Sequence, residues 1–178
     1  MSKKSYANKV FYTAGIPKNG RNITRANYIY DIKRVLLLSL YQSLESSLRV
    51  ISKSSVFNCH NYGNFHSTYT GIFNNINLAV YNPIKKDEYI SLMNIVRTMR
   101  NSVHTNGVYD PKPNRHGTQH PFNETYRKLY RYNVGDKVIF GWTDLEEFIK
   151  GSIELLVELM KDPKVISIPN NQMIDPSA

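Results

Sequence analysis

The chain has 178 residues, a length suited to a single domain, and it carries 23 Lys and Arg residues against 14 Asp and Glu residues. The formal charge of +9, which we interpret as spread over the chain and not as a basic tail, favours a polyanionic partner such as RNA or DNA. The longest aliphatic run, Val35–Leu38, is too short to span a membrane, and a single cysteine, Cys59, excludes an internal disulfide framework. We therefore expect a cytoplasmic protein that does not associate with a membrane.

The first half of the sequence predicts one long helix between less regular segments. Residues 1–22 are predicted to form an extended arm, because glycine and proline recur there. From about Arg25 to Val56, apolar residues recur every three or four positions, which predicts an amphipathic helix. Residues 58–82 are predicted to form a loop that includes a short helix near Tyr69–Ala79.

The second half begins with the clearest helix of the sequence, from about Lys86 to His104. Gly107 follows it closely, and glycine just past a helix end is a common cap. Residues 107–135 contain three prolines and are predicted to form a long loop. Residues 134–140 have the composition of a short extended segment, which predicts the edge of a small β-hairpin there.

A last helix is predicted by a capping box, in which Thr143 and Glu146 each accept a hydrogen bond from the other's backbone N–H. Its apolar face continues until Pro163, which ends the helix. These amphipathic helices predict an all-α bundle with a long loop and one short β-hairpin. The predicted parts are an N-terminal arm at 1–22, a helical domain at 23–163 and a C-terminal tail at 164–178.

The helix that ends at His104 carries two stripes of side chains. At roughly 100° per residue, one stripe is apolar and is expected to face the core: Leu92, Val96, Met99 and Val103. A second stripe holds polar residues that could act on a phosphodiester: Arg97, Arg100, Asn101 and His104. It continues toward the start of the helix through Ile90 and Met93. This face is expected to meet another helix or a second copy of the chain, and we favour a homodimer through Ile90, Met93, Arg97 and His104.

Arginine and histidine side chains on one stripe suit chemistry on RNA. A histidine titrates near neutral pH, so it can take a proton from a 2′-hydroxyl or give one to a leaving 5′-oxygen. One guanidinium group can bind two phosphate oxygens at once, and it stabilises the added negative charge of the transition state. Asn101 is expected to orient His104 or the phosphate.

The string RNSVHTNG at residues 100–107, at the end of an amphipathic helix, resembles the signature of HEPN domains (higher eukaryotes and prokaryotes nucleotide-binding). In that family an arginine, commonly followed by a polar residue such as asparagine, precedes a histidine with four to six residues between them. Here Arg100 and Asn101 provide the dipeptide, with three residues before the histidine. Arg97 provides a separation of six residues but is followed by Thr98.

The resemblance implies a small helical bundle that dimerises and cleaves RNA as a metal-independent endoribonuclease, without a cofactor. The site residues that it implies lie in a composite dimer site: Arg97, Arg100, Asn101 and His104. Such proteins often act in toxin–antitoxin, abortive-infection or other antiviral systems. RNA and an antitoxin or other regulator protein are therefore the implied partners.

Two other interpretations of the same residues remain open. In one, the chain is a non-catalytic HEPN-like module that dimerises or binds RNA or a nucleotide. In the other, the bundle has no role with nucleic acid, and Arg97 and Arg100 pair with a carboxylate face formed by Glu154 and Glu158.

Two further groups of residues suggest binding. A cluster interleaves aromatic and basic side chains, which suits single-stranded RNA, although its tyrosines would equally suit packing on the bundle: Tyr126, Arg127, Lys128, Tyr130 and Arg131. His116 and His120 have the spacing of a helical metal-binding pair, but Gly117 and Pro121 disfavour a helix there. The sequence therefore predicts no metal site.

Overall fold

The structure, a computed structural model, describes residues 21–61, 63–77, 82–113 and 117–173, with the backbone alone at residues 21–23. Residues 1–20 of the predicted arm lie outside the described residues. The described chain is mostly helical with a small two-stranded antiparallel sheet, which confirms the predicted helical class. None of the described helices combines the length and the apolar character that crossing a membrane requires.

The long helices occur close to their predicted positions. In chain order the elements are α1 (Arg21–Lys53), α2 (Phe65–Asn75), α3 (Pro83–His104), β1 (Phe122–Tyr126), β2 (Lys128–Tyr132), α4 (Trp142–Lys161) and α5 (Pro163–Ile166), followed by a 3₁₀ turn at Asn170–Gln172. The short helix, α2, begins four residues before its predicted start. Asn64 fixes that start, because its side chain accepts a hydrogen bond from the Ser67 N–H.

The chain divides into two compact units, Met1–Leu36 and Leu37–Ala178, with the boundary inside α1. The larger unit contains the hydrophobic core, to which its helices and its hairpin all contribute. The division also overturns our interpretation of the charge as spread over the chain. The smaller unit contains eight of the 23 basic residues and one of the 14 acidic residues, so it carries +7 of the net +9.

α3 is the central helix of the larger unit, with α2, α4 and β1 packed on different sides of it. The predicted core stripe is buried, since Leu92, Val96 and Met99 are inaccessible to solvent. Met93 is equally inaccessible, and Ile90 packs partly against the core. The prediction that Met93 faces a second copy of the chain is therefore wrong, because the chain's own elements surround α3 at that level.

The β-hairpin lies at residues 122–132, inside the segment that was predicted to be a loop. Phe122 pairs with Tyr132, and Tyr126 pairs with Lys128 across a turn at Arg127. Residues 134–140, the predicted site of a hairpin edge, contribute a single isolated bridge between Lys137 and Val108.

Two tyrosines of the hairpin are buried against α4. The Tyr126 hydroxyl lies over Gly151, where an added Cβ atom would collide with it. Tyr130 donates a hydrogen bond to the Asp144 carboxylate at 3.0 Å. The hairpin therefore depends on α4 residues that are distant in sequence.

α4 begins at Trp142, two residues before the start that the predicted capping box required. The Asp144 carboxylate accepts a hydrogen bond from the Gly141 N–H at 2.7 Å, which caps the helix. The predicted pairing of Thr143 with Glu146 is wrong, because Glu146 lies within the helix and accepts a hydrogen bond from Lys150 at 2.8 Å.

The described part of the predicted C-terminal tail packs against the rest of the larger unit, to which it belongs. Val165 and Ile168 are buried. The Gln172 carboxamide accepts a hydrogen bond from the Ser55 N–H at 2.8 Å. These contacts connect the end of the described chain to the segment that follows α1.

Candidate active site

The end of α3 determines where the chain runs next. Asn106 and Gly107 take left-handed backbone conformations, with φ of 54° and 80°. The Gly107 N–H donates to the Ser102 carbonyl at 2.7 Å, which closes the helix end, and glycine adopts such a φ without strain. This turn brings residues 108–112 alongside the last turns of α3.

A cavity of roughly 670 Å³ lies between the end of α3 and this returning segment, within the size range of small-molecule sites. All four predicted site residues of α3 line it: Arg97, Arg100, Asn101 and His104. The returning segment adds Tyr109, Asp110 and Lys112, and Phe122 of β1 also contributes to the lining.

Arg97 is the half-buried cation of the cavity. It makes no hydrogen bond or ion pair with any residue that the structure describes. Its charge acts on neighbouring groups: burial, and then Arg97, lower the pKa of His66. Burial raises the pKa of Tyr109, and Arg97 opposes that rise. A half-buried guanidinium that forms no ion pair with a described residue is suited to binding an anion.

Arg100 is held by its neighbours. Its Nη1 donates to Asn101 Oδ1 at 3.1 Å, and its guanidinium carbon lies 5.1 Å from the centroid of the Tyr41 ring. Burial raises the pKa of Tyr41 to about 12, so that hydroxyl stays neutral at physiological pH. Asn101 therefore bonds to Arg100, and it makes no hydrogen bond to His104.

His104 is the last residue of α3, and its side chain is exposed. It forms no hydrogen bond or ion pair with another described residue. Among the described lining residues it is the one imidazole, and Asp110 is the one carboxylate. Asp110 already accepts a hydrogen bond from Gln119 at 3.0 Å. The described lining contains one carboxylate and three cationic side chains, those of Arg97, Arg100 and Lys112, so the net charge of the cavity is positive.

An aromatic wall, which we define as Tyr109, Phe122 and Tyr132, stands beside these cations. The rings of Phe122 and Tyr132 are stacked with centroids 5.9 Å apart, and the Tyr109 ring lies 6.0 Å from that of Phe122. Tyr109 and Phe122 also line the cavity. Sequence reasoning missed this wall, because it forms only where the hairpin meets the segment after α3.

Comparisons with known proteins found no relative: no family model matches, and no curated protein or solved structure matches significantly. The HEPN resemblance therefore depends on residues 100–107 and Arg97. Across the described parts of the chain, no group of three or more His, Cys, Asp or Glu side chains is arranged to hold a metal ion. His116, half of the histidine pair considered from the sequence, lies outside the described residues.

The two glutamates on the acidic face of α4 form ion pairs with other residues and not with the arginines of the cavity. Glu158 pairs with Lys85 at 3.4 Å, and Glu154 pairs with Arg127 at 3.7 Å. The interpretation in which Arg97 and Arg100 pair with these two glutamates is therefore wrong.

The aromatic and basic cluster of the hairpin is mostly engaged within the chain. Tyr126 and Tyr130 are buried, Arg127 pairs with Glu147 and Glu154, and Lys128 pairs with Asp144. Arg131 is exposed. The two tyrosines therefore pack on the bundle, which is the alternative that the sequence left open. Contact of this cluster with nucleic acid stays a prediction.

Proposed function

We propose that the chain is an endoribonuclease in which a ribose 2′-hydroxyl attacks the adjacent phosphodiester. The observation that carries this proposal is the shared cavity of His104 and Arg97, an imidazole and a guanidinium that form no hydrogen bond or ion pair with any described residue. The HEPN resemblance supports the same reaction and implies a toxin–antitoxin or antiviral setting, in which a regulator protein would control the site.

Each of the four predicted site residues of α3 has a role in the proposed reaction. Arg97 binds the non-bridging oxygens of the phosphate and stabilises the charge that builds on them during attack. Arg100 adds positive charge and orients Asn101, whose amide N–H groups donate to no described residue and can donate to the phosphate. His104 transfers a proton, either from the attacking 2′-hydroxyl or to the leaving 5′-oxygen. The products carry a 2′,3′-cyclic phosphate and a 5′-hydroxyl.

The reaction needs one group that accepts a proton and another that donates one, which favours a dimer. His104 is the one imidazole among the described lining residues, and the Tyr109 hydroxyl donates to the His120 carbonyl at 3.0 Å. A second copy of the chain would supply a second imidazole. We propose that two copies meet around the exposed His104 and Asn101, and not around the buried Met93.

The aromatic wall supports an unpaired nucleotide as the group that occupies the cavity. An unstacked base has two open π-faces, and stacking of a base on an aromatic side chain contributes about 1–3 kcal/mol. Tyr109 and Phe122 would hold the base while Arg97 holds its phosphate. A paired base in a duplex is already stacked and would not reach the wall.

The test is incubation of the purified full chain with a panel of structured and unstructured RNAs in EDTA. We expect cleavage at unpaired positions, with a 2′,3′-cyclic phosphate on one product and a 5′-hydroxyl on the other. A single 2′-deoxy substitution at the cleaved position should block that cut. Binding of these RNAs without cleavage would overturn the catalytic role and leave the non-catalytic module as the function.

A further inference from the structure

The helix α4 carries apolar side chains on two faces. One face is buried in the core of the larger unit: Leu145, Phe148, Leu155 and Leu159. The other face, which we call the α4 stripe, is open to solvent or only partly covered: Ile149, Ile153, Leu156 and Met160. Ile153 and Met160 are 57% and 59% exposed, and Val157 beside the stripe is exposed as well. A contiguous row of exposed apolar residues, unlike a single one, is typical of a surface that binds another molecule.

An apolar cavity adjoins the stripe. It has a volume of roughly 360 Å³ and lies between α4 and the part of α1 that belongs to the larger unit. Leu156 and Met160 of the stripe line it, together with further apolar residues: Val50, Ile51, Leu159 and Met173. A molecule that packs along the stripe is therefore expected to present an apolar side chain at the level of Met160.

The spacing of the stripe is symmetric. At roughly 100° per residue its members fall within about 60° of one another on the helix. They follow each other at four, three and four residues, so the spacing is the same in either direction, and such steps are also those by which paired helices pack side by side. A second α4 that runs antiparallel therefore places Ile149 on Met160 and Ile153 on Leu156. Ile149 of that copy then stands at the level of the cavity.

Charges beside the stripe favour the same antiparallel pair. Glu154 and Lys161 are exposed and lie on one side of the stripe. Because helical side chains lean toward the N-terminus of their own helix, Glu154 of one copy and Lys161 of the other lean toward each other in this register, and the two-fold axis repeats the pair. A parallel pair would instead place each of these charges beside its own copy, which like-charge repulsion opposes. The flanking charges and the symmetric spacing thus agree on a second copy of this helix.

We propose that the α4 stripe is a self-association interface, in which the α4 helices of two copies pack antiparallel and each presents Ile149 to the cavity beside Met160 of the other. The interface lies apart from the α3 cavity, whose described lining contains no residue of α4. The inference does not rest on the proposed cleavage of RNA. A lipid surface is the less favoured occupant, because charges of both signs flank the stripe, whereas helices that lie on membranes are flanked mainly by cations.

The test measures the mass of the full-length chain by sedimentation velocity at several protein concentrations. Met160→Glu and Ile149→Lys each place two charges against apolar side chains in the antiparallel pair, which opposes the contact. The control is Ile84→Glu, which introduces a charge at an isoleucine that is 74% exposed in the first turn of α3. Unfolding temperatures within a few degrees of the wild type verify the fold of each variant.

We expect the wild type and Ile84→Glu to have about twice the mass of Met160→Glu or Ile149→Lys at the same concentration. An equimolar mixture of Met160→Glu and Ile149→Lys should recover the wild-type mass, because the antiparallel register places the introduced carboxylate on the introduced ammonium group. A parallel pair would keep positions 149 and 160 apart. A wild type no heavier than the two variants, or a mixture that stays at the lower mass, would overturn the proposal. Flotation of the wild type with phosphatidylcholine vesicles, lost in Met160→Glu while both proteins have the same mass, would also overturn it.

This result is independent of the cleavage test. The ratio of about two between the masses is expected whether or not two copies also meet around His104, because the substituted residues of α4 lie outside that contact. If no RNA is cleaved but the ratio is found, the proposed ribonuclease is wrong and the α4 interface stands. If RNA is cleaved and all the masses are equal, the reverse holds.

Discussion

The Arg100 guanidinium lies 5.1 Å from the centroid of the Tyr41 ring, which joins the end of α3 to α1. Arg100 also donates to Asn101, so its position is set by the protein before any ligand arrives. Arg97, which lines the same cavity, has no such internal partner among the described residues. We infer that Arg100 positions neighbouring groups and that Arg97 is the arginine that binds the phosphate.

Arg97→Gln should therefore lower the cleavage rate without lowering the stability of the fold. Loss of one preorganised donor to transition-state charge typically costs about 10²–10³ in rate. The free energy of unfolding should change by less than about 0.5 kcal/mol, as for substitutions that remove no internal contact. Single-turnover cleavage and urea unfolding measure the two quantities, and Lys161→Gln, which removes an exposed cation at the end of α4, is the control. Equal rates in the two variants would remove Arg97 from the site.

The aromatic wall should determine the preference for unpaired bases. Tyr109→Leu and Phe122→Leu remove the rings that line the cavity and leave its cations in place. We expect each to weaken binding of a single-stranded oligonucleotide by about 1–3 kcal/mol, with little effect on an abasic one. Fluorescence anisotropy with both oligonucleotides measures this difference. Trp142→Leu, which removes an exposed aromatic ring outside the cavity, is the control. An equal loss for both oligonucleotides would show that the wall does not stack on a base.

The proposed composite site would make the activity depend on two copies of His104. When wild type and His104→Ala are mixed in equal amounts and allowed to exchange subunits, about one quarter of the dimers contain two intact histidines. If both histidines are needed, activity per total chain should fall to about that fraction of the pure wild type. A fall to about one half, together with a monomeric mass in light scattering, would mean that each chain acts alone.

Asp144 makes part of the stability depend on pH. Burial opposes its ionisation, but the Gly141 N–H, Lys128 and Tyr130 outweigh burial and hold the pKa of this carboxyl below its usual range. A carboxyl whose pKa is lowered by folding contributes stability that is present above its unfolded pKa, near 3.9, and is lost as the pH falls through the folded pKa. Asp144→Asn should therefore reduce the free energy of unfolding by about 1–3 kcal/mol at neutral pH.

The difference between wild type and Asp144→Asn should shrink as the pH falls from about 4 through the lowered pKa of the folded carboxyl, because Asp144 of the wild type becomes protonated over that range. Urea unfolding at several pH values measures it. Asp87→Asn, which removes an exposed carboxyl in the first turns of α3, is the control and should show no such trend. A difference that is constant from neutral pH down to about pH 3, roughly one unit below the unfolded pKa, would contradict the contribution of the ionised carboxylate.

Local sequence patterns were sufficient to predict the long helices and the candidate site residues on α3. The stripes of α1, α3 and α4 and the glycine after His104 are signals within a few residues of each other, so the sequence places Arg97 and His104 on one helix face. It could not show that Met93 is buried, because that depends on three elements packing around α3.

The hairpin and the aromatic wall depend on contacts between distant segments. Tyr126 and Tyr130 pack against α4, where Gly151 leaves room for one ring and Asp144 accepts a hydrogen bond from the other. Neither partner is recognisable from the sequence around the tyrosines. The wall in turn needs the hairpin, since Phe122 and Tyr132 meet Tyr109 only after the strands have paired.

The measurement that tests the central claim most directly is the single-turnover cleavage rate of His104→Ala in EDTA, relative to the wild type. His120→Ala, which removes an exposed imidazole from outside the cavity, is the control, and circular dichroism verifies the fold of all three proteins. We predict a loss of at least about 10²-fold for His104→Ala, as expected for a group that transfers protons, and near wild-type cleavage for His120→Ala. Equal cleavage by all three proteins would contradict the assignment of the α3 cavity as the active site.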